Sequence, residues 1–175
     1  PKSVPVKRTA LGRFKHESAQ VAVGPDYSVG FYTGDDERNE YIYKFVCAKP
    51  WNPRVRSANR DLLDEGVLYV AKFTSTPGSK ADTFRGQWIA LEPGTLGVDG
   101  VALRNNPEFA AATDAAVKAL ILVKTRMAAD AVGATMMDRP EWCALRTYSI
   151  AGRAADGYTY GPGRPLEVYC TLTNN

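Results

Sequence analysis

The densest polar stretch of the sequence is residues 34–40, Gly-Asp-Asp-Glu-Arg-Asn-Glu, which stands between two apolar runs. Its carboxylates suit a hard cation, because calcium binds several carboxylate and carbonyl oxygens. Arg38 and Glu40 are two positions apart at the start of a predicted strand, so we expect their side chains to point to the same side. There the guanidinium group can hold a phosphate while the carboxylate holds a metal. A solvated, charged hairpin turn is the simpler alternative.

Two further segments carry the same mixture of acids and bases just ahead of predicted strands. Residues 136–142 read Met-Met-Asp-Arg-Pro-Glu-Trp, and residues 12–17 read Gly-Arg-Phe-Lys-His-Glu. Pro140 is expected to hold Arg139 in an extended conformation. Taken singly, these segments are explained by a surface ion pair at a helix exit and by a polar start to a strand. Together with residues 34–40 they predict an oxyanion and divalent-metal site, without specifying a reaction.

The histidine and cysteine content excludes several classes of site within this chain. His16 is the only histidine, which rules out the HExxH zinc motif and a Ser-His-Asp arrangement built from these residues alone. Cys47, Cys143 and Cys170 show no CxxC spacing, so a zinc ribbon is excluded and a disulfide framework is not supported. We interpret the three cysteines as small buried hydrophobic residues, although one pair could form a bridge.

Composition describes an ordinary globular chain. Of its 175 residues, 45% are hydrophobic and 23% charged, and the formal net charge is +3. That charge is small and dispersed, so it predicts no nucleic-acid partner. The sequence has no apolar run long enough to span a membrane. The chain begins at Pro1 and closes on residues that read as a strand entering a turn, and we therefore expect it to be an internal piece of a longer protein.

Hydrophobic periodicity predicts a chain that is mainly β, because most of the apolar residues alternate with a period of two. Short strands separated by turns, with no helices between them, indicate antiparallel sheets. Long loops on such a scaffold fit part of a β-propeller, and a β-sandwich fits the strands almost as well. The predicted strands are residues 18–23, 29–33, 41–46, 67–73, 87–91, 142–145 and 167–172.

A single helical insertion is predicted over residues 106–133. Asn106 is the expected N-cap and Pro107 the first helical residue. Gly133 is the expected stop, because glycine accepts the left-handed conformation that commonly follows a helix. The pattern leaves open whether the insertion is one helix or two helices joined near Thr113.

Several segments, in order along nearly the whole chain, resemble the PhoX-type alkaline phosphatases. The resemblance implies a β-propeller that is exported to the periplasm or secreted and is monomeric when full length. It also implies hydrolysis of small phosphate monoesters with a cluster of calcium and ferric iron ions. The segments that carry the resemblance are residues 12–17, 34–46, 59–71, 128–135, 137–142 and 168–175.

Position by position, the resemblance implies that Arg38 binds phosphate and Glu40 binds a metal ion. It gives Arg139 and Asp138 the same two roles. Complete family members are several times longer, so residues 1–175 are expected to form only part of the propeller and to be inactive alone. Further ligands, including the family's cysteine ligand to iron, would then lie elsewhere. The additional candidate metal ligands are Glu17, Asp36 and Glu141.

One segment departs from the family pattern, and two other functions remain open. Residues 146–165 are longer and richer in glycine and tyrosine than the short turn expected there, and we interpret them as a surface insertion. A calcium-dependent propeller hydrolase such as a lactonase would use the acidic loops but would have less use for Arg38 and Arg139. A non-catalytic β module that binds calcium or carbohydrate would use Trp51 and Trp88 as contact residues.

Overall fold

A computed structural model describes residues 4–24, 26–78, 83–146 and 167–173. These residues form antiparallel sheets with few helices, which confirms a mainly β chain. The α-helices are α1 (Asp114–Val123) and α2 (Thr125–Ala131). Short 3-10 helices span Thr9–Leu11, Arg56–Asn59 and Leu103–Asn105. The strands are β1 (His16–Val23), β2 (Val29–Asp35), β3 (Arg38–Glu40), β4 (Ile42–Cys47), β5 (Gly66–Ser75), β6 (Phe84–Ala90), β7 (Met137–Asp138), β8 (Pro140–Arg146) and β9 (Glu167–Leu172).

The main sheet has five strands in the order β1-β2-β4-β5-β6, and all neighbours are antiparallel. In β4 every second residue is buried, so Tyr43, Phe45 and Cys47 point to one face. Phe45 lies opposite Leu68 of β5, which is also buried. This is the period-two pattern of the sequence, and each large apolar side chain buried in this way contributes about 1.5–3 kcal/mol to stability.

The two helices cover the buried face of this sheet. Val117 and Ile121 of α1 and Ala128 and Ala129 of α2 belong to the same core cluster as Tyr43 and Phe45. The small alanines bring α2 close to the sheet. This placement sets the polar side chains of α2 beside the ends of β2 and β3.

The boundaries of the helical insertion differ from those predicted. The first α-helix begins after Thr113, whose Oγ1 accepts a hydrogen bond from Ala116 N at 3.2 Å. Asn106 does accept a capping bond, from Glu108 N at 2.9 Å, but only a turn follows it, so the predicted N-cap is wrong. The insertion is two helices, and they meet at Lys124 rather than near Thr113. Gly133, with φ of 67°, ends α2 as predicted.

Two further expectations concern the rest of the chain. Within the part of the chain that the structure describes, no helix is long and apolar enough to cross a membrane. The surface insertion expected over residues 146–165 lies almost entirely outside the described residues.

Candidate functional site

Two of the three acid–base segments, residues 34–40 and 136–142, meet through a small antiparallel sheet. Strand β3 pairs with β7, which sets Arg38 opposite Asp138 and Glu40 opposite Met137. The register shifts between Arg38 and Glu40, and Asn39 between them has φ of 60°. The side chains of β3 therefore do not alternate regularly between the two faces. The expectation that Arg38 and Glu40 point to the same side because they are two positions apart loses its basis. Arg38 is exposed, whereas the Glu40 side chain is 16% exposed.

Arg139 joins these segments by ion pairs. Its Nη2 donates a hydrogen bond to Asp36 Oδ2 at 3.1 Å, across 103 positions of sequence. Asp36 Oδ1 lies 2.8 Å from the same nitrogen but is buried and accepts no directed hydrogen bond. Glu141 Oε1 lies 3.5 Å from Arg139 Nη2 and accepts a hydrogen bond from Thr173 Oγ1. The guanidinium group is thus held between two carboxylates.

Arg139 has a strained backbone. Its φ is 44°, so the extended conformation predicted from Pro140 is wrong. A positive φ in a residue that is neither Gly, Asn nor Asp costs about 1–3 kcal/mol and persists only where the surrounding contacts enforce it. The ion pairs with Asp36 and Glu141 supply such contacts. Strain of this kind concentrates at functional sites.

A buried ion pair lies behind this cluster. Asp35, at the end of β2, has a fully buried side chain, and Arg126 of α2 grips it with two hydrogen bonds. Arg126 Nε donates to Asp35 Oδ2 and Nη2 donates to Oδ1, each at 2.7 Å. Lys15 N donates to the same Oδ1 at 3.2 Å. The bidentate bond with Asp35 raises the pKa of Arg126, which stays charged.

Arg126 also faces the candidate metal ligand. Its Nε lies 3.5 Å from Glu40 Oε1, while Glu40 Oε2 is buried and has no hydrogen-bond partner. Burial raises the pKa of Glu40 to about 7, against the attraction of Arg126 and with repulsion from Asp35 and Asp130. A buried carboxylate oxygen without a partner is costly. A bound cation would remove that cost.

Two tyrosines, Tyr41 and Tyr43, lie close enough to Glu40 to interact with its charge. Tyr41 donates a hydrogen bond to Asp130 of α2, and burial followed by that bond raises the pKa of Tyr41. Tyr43 is fully buried, its hydroxyl has no hydrogen-bond partner, and burial raises its pKa as well. Both phenols therefore stay protonated and neutral near neutral pH.

The close approach of β8 to β2 depends on Gly34. A Cβ at Gly34 would lie 2.1 Å from Pro140 O and 2.7 Å from Glu141 O. These are backbone atoms, so they cannot move aside as a flexible side chain would. Glycine at this position is what lets the strand that carries Glu141 lie against the strand that carries Asp35.

Replacing Gly34 with alanine should therefore destabilise the full-length protein by about 1–3 kcal/mol, as overpacking of a well-packed region does. Thermal or urea unfolding would measure the loss. Gly30→Ala in the same strand is the matched control, because its Cβ would meet only Phe45 O at 3.6 Å. Equal melting of the two variants would show that β8 does not press on Gly34.

The structure brings together six of the seven residues singled out in the sequence. Glu17 lies in β1 opposite Gly34 of β2, where its backbone oxygen accepts a hydrogen bond from Thr33 Oγ1 at 3.4 Å. Sequence reasoning missed Asp35, Arg126 and Asp130. Asp35 stood within the acidic stretch, but no local pattern marked Arg126, since a single arginine in a helix is ordinarily a surface residue. The six that lie together are Asp36, Arg38, Glu40, Asp138, Arg139 and Glu141.

The donors fit part of a calcium site rather than a whole one. Among the described residues, no group of three or more His, Cys, Asp or Glu converges closely enough to hold a metal ion. Glu40 Oε2 and Asp36 Oδ1 are nevertheless buried oxygens without hydrogen-bond partners. Calcium takes six to eight oxygen ligands. These residues can thus contribute some ligands to a hard cation, with the others coming from outside the cluster.

A cleft of about 730 Å³ opens elsewhere on the molecule. It lies between the segment at Lys7–His16 and the end of α1, and apolar side chains such as Leu11, Phe14 and Leu122 dominate its lining. None of the seven residues singled out in the sequence lines it. The β3–β7 cluster is therefore separate from this cleft, whose lining includes Arg13 and His16 of the third acid–base segment.

Comparisons with known proteins agree with the resemblance. The family model described as alkaline phosphatase PhoX matches residues 1–175. Among solved structures, the chain is similar to Pseudomonas fluorescens PhoX in complex with vanadate, a transition state analogue, with 47% sequence identity and a TM-score of 0.67. The match covers 82% of this chain and 23% of that one, so the chain spans less than a quarter of the Pseudomonas protein. No curated protein matches the sequence.

Proposed function

The chain belongs to the PhoX family of alkaline phosphatases, and from that premise we propose that it forms part of an enzyme that hydrolyses phosphate monoesters. The proposal includes a β-propeller made by the complete protein, export to the periplasm or beyond the cell, and a monomeric state. Residues 1–175 alone would then be inactive, because they supply only part of the ligand set.

The observation that carries the proposal is the meeting of two distant segments through β3 and β7. It sets Arg38 beside Asp138 and brings Arg139 into contact with Asp36. Guanidinium groups with carboxylates around them can bind a phosphoryl group and the cations that accompany it. A solvated hairpin turn would not require the strained backbone of Arg139 or the buried oxygen of Glu40.

In this mechanism Arg38 and Arg139 bind the phosphoryl oxygens and stabilise the charge that develops during transfer. Asp36 and Glu141 fix the guanidinium group of Arg139 before substrate binds, which lowers the cost of orienting it. Arg126 holds Glu40 from behind and, through Asp35, fixes the end of β2 from which Asp36 follows. Arg38 and Arg139 thus bind the substrate, whereas Arg126 positions Glu40, a candidate metal ligand.

Calcium and iron are the metals we propose for the complete site. Glu40 and Asp138 would hold cations, with Asp36, Glu141 and Glu17 as further candidate ligands. Bound cations would polarise the phosphoryl group and activate water for attack. Within this chain the carboxylates outnumber the arginines around the cluster, which favours cation binding over a purely arginine-lined phosphate site.

The first test is calcium-dependent hydrolysis of a generic phosphomonoester by the full-length protein with Arg38→Ala and Glu40→Ala. Removing one preorganised charge-stabilising group typically lowers kcat about 10²–10³-fold, and we expect losses of that size in both variants. Vanadate should inhibit the unmodified protein, since it binds the Pseudomonas relative as a transition state analogue. Arg56→Ala and Glu65→Ala alter exposed residues away from the cluster and serve as matched controls.

The proposal fails if the fully metallated protein hydrolyses no phosphomonoester, or if Arg38→Ala and Glu40→Ala both keep full activity. Circular dichroism of each variant separates a lost site from a lost fold. Hydrolysis of a lactone that survives Arg38→Ala would instead favour a lactonase. Calcium binding unaffected by phosphate would favour a binding module.

A further inference from the structure

Two of the three cysteines lie directly opposite one another in the strand pair that borders the candidate site. Cys143 of β8 and Cys170 of β9 are register partners in an antiparallel ladder, and their thiols interact with each other. Cys47 lies in β4 opposite Gly66 and is buried. All three are free thiols in this structure.

The register alone satisfies the main geometric requirement for a disulfide. Residues directly opposite in an antiparallel pair have Cα atoms about 4.5 or 5.5 Å apart, depending on the hydrogen-bonding type of the position. Disulfides span Cα separations of about 4.4–6.8 Å. Both kinds of position fall within that range, so a bond between Cys143 and Cys170 requires no large backbone movement.

The two thiols differ in access, which sets an order for the reaction. Cys143 is fully buried, and Ser18 Oγ accepts a hydrogen bond from its backbone nitrogen at 2.9 Å. Cys170 is partly exposed. An external oxidant can therefore reach Cys170 first. The oxidised Cys170 sulfur then lies opposite the buried Cys143.

We propose that Cys143 and Cys170 form a structural disulfide through exchange with an external disulfide of the glutathione or oxidoreductase class. The Cys170 sulfur gives up its proton to solvent as it attacks the external disulfide, forms a mixed disulfide and releases one thiolate. The Cys143 thiolate then attacks the Cys170 sulfur and releases the second thiolate. The protein loses two thiol protons and two electrons, and the oxidant becomes two thiols.

This bond would tie together the strands that support Arg139 and Glu141. Thr173, just after β9, donates from its backbone nitrogen to Arg139 O at 3.4 Å and from its hydroxyl to Glu141. The β8–β9 register shifts between Pro140 and Cys143, so Cys143 is the first paired residue beyond the irregular part. A covalent bond there would fix the β8–β9 register, and that register positions Thr173 beside Arg139 and Glu141. The inference does not depend on the phosphatase proposal.

Peptide mapping of the full-length protein tests it. The protein is equilibrated with oxidised glutathione, its free thiols are trapped with N-ethylmaleimide under denaturing conditions, and it is digested without reductant. We expect one peptide pair joined through Cys143 and Cys170, about 2 Da lighter than the two free peptides, because two hydrogens are lost. Cys47 should carry the maleimide, and prior reduction with dithiothreitol should leave all three cysteines alkylated.

Cys143→Ser and Cys170→Ser should each abolish the joined peptide, while Cys47→Ser should preserve it. Maleimide on both Cys143 and Cys170 after oxidation would overturn the proposal. So would stable glutathione on Cys170 with Cys143 still a thiol, because a partner within bonding distance would displace the glutathione. Mapping the unmodified protein decides the question even where a serine variant does not fold.

Discussion

The Asp35→Ala variant of the full-length protein should be less stable than the unmodified protein by about 3 kcal/mol, the lower end of the usual cost of breaking a buried ion pair, because the Arg126 side chain is 33% exposed. Asp35 is fully buried and holds Arg126 through two hydrogen bonds of 2.7 Å. Without it, Glu40 at 3.5 Å is the remaining ion-pair partner of the guanidinium group among the described residues. Lys15 N also loses its acceptor. Thermal unfolding would measure the global loss, and hydrogen exchange would locate it in α2 and at the end of β2.

Glu65→Ala is the matched control for Asp35→Ala. It also removes one carboxylate from an ion pair, but the Glu65 and Lys49 side chains are 67% and 73% exposed. Exposed pairs contribute about 0–1 kcal/mol, so this variant should melt close to the unmodified protein. Asp35→Ala combined with Arg126→Met should recover part of the lost stability below pH 7, because no guanidinium is left without Asp35, and Glu40, which loses its ion pair with Arg126, can stay protonated there. Equal melting of the two single variants would contradict the role given to Asp35.

The sheet was predictable because its residues carry the pattern that burial imposes. Tyr43 and Phe45 alternate with more exposed neighbours, so a period of two is visible without any knowledge of the partners. The helix start was not predictable in the same way. Asn106 and Thr113 both have side chains that cap, and both accept a capping bond. Only packing against the sheet determines that the helix follows Thr113, where Val117 and Ile121 become buried.

Sequence reasoning found both halves of the candidate site but gave the wrong reason for one of them. It expected Arg38 and Glu40 to share a side through regular alternation, whereas Asn39 takes a left-handed conformation and shifts the register. The pairing of β3 with β7 is what brings the halves together. Pairing between segments this far apart depends on the whole fold and leaves no local mark.

Arg126 could not be found from the sequence because its role comes from contacts with residues that are far away along the chain. It lies in a short helix among residues that pack into the core, where an arginine is ordinarily a surface residue. Its partners, Asp35 and Glu40, come from β2 and β3. These contacts give Glu40 unusual electrostatics, because one oxygen faces Arg126 and the other is buried without a partner.

Replacing Glu40 with glutamine should stabilise the metal-free full-length protein at alkaline pH. Burial raises the pKa of Glu40 from 4.5 to about 7 in the folded state, so the folded protein binds a proton more tightly than the unfolded chain does. Stability is therefore complete below about pH 4.5 and falls as the pH rises through 7. Each pKa unit corresponds to about 1.4 kcal/mol, which limits the total penalty to about 3 kcal/mol. Glutamine has no proton to lose, so the gain should be absent near pH 4, grow between pH 4.5 and 7, and reach its full size above pH 7.

Urea unfolding from pH 4 to pH 9 would measure this difference, with Glu65→Gln as the control because that carboxylate is exposed. Parallel stability curves for Glu40→Gln and the unmodified protein would contradict the assignment of a high pKa to Glu40. Calcium provides a second, opposite readout. A cation bound to the Glu40 carboxylate would offset the cost of its buried charge, so saturating calcium should stabilise the unmodified protein more than Glu40→Gln. If calcium stabilises both proteins equally at pH 9, Glu40 is not one of its ligands, and the buried oxygen then needs another explanation.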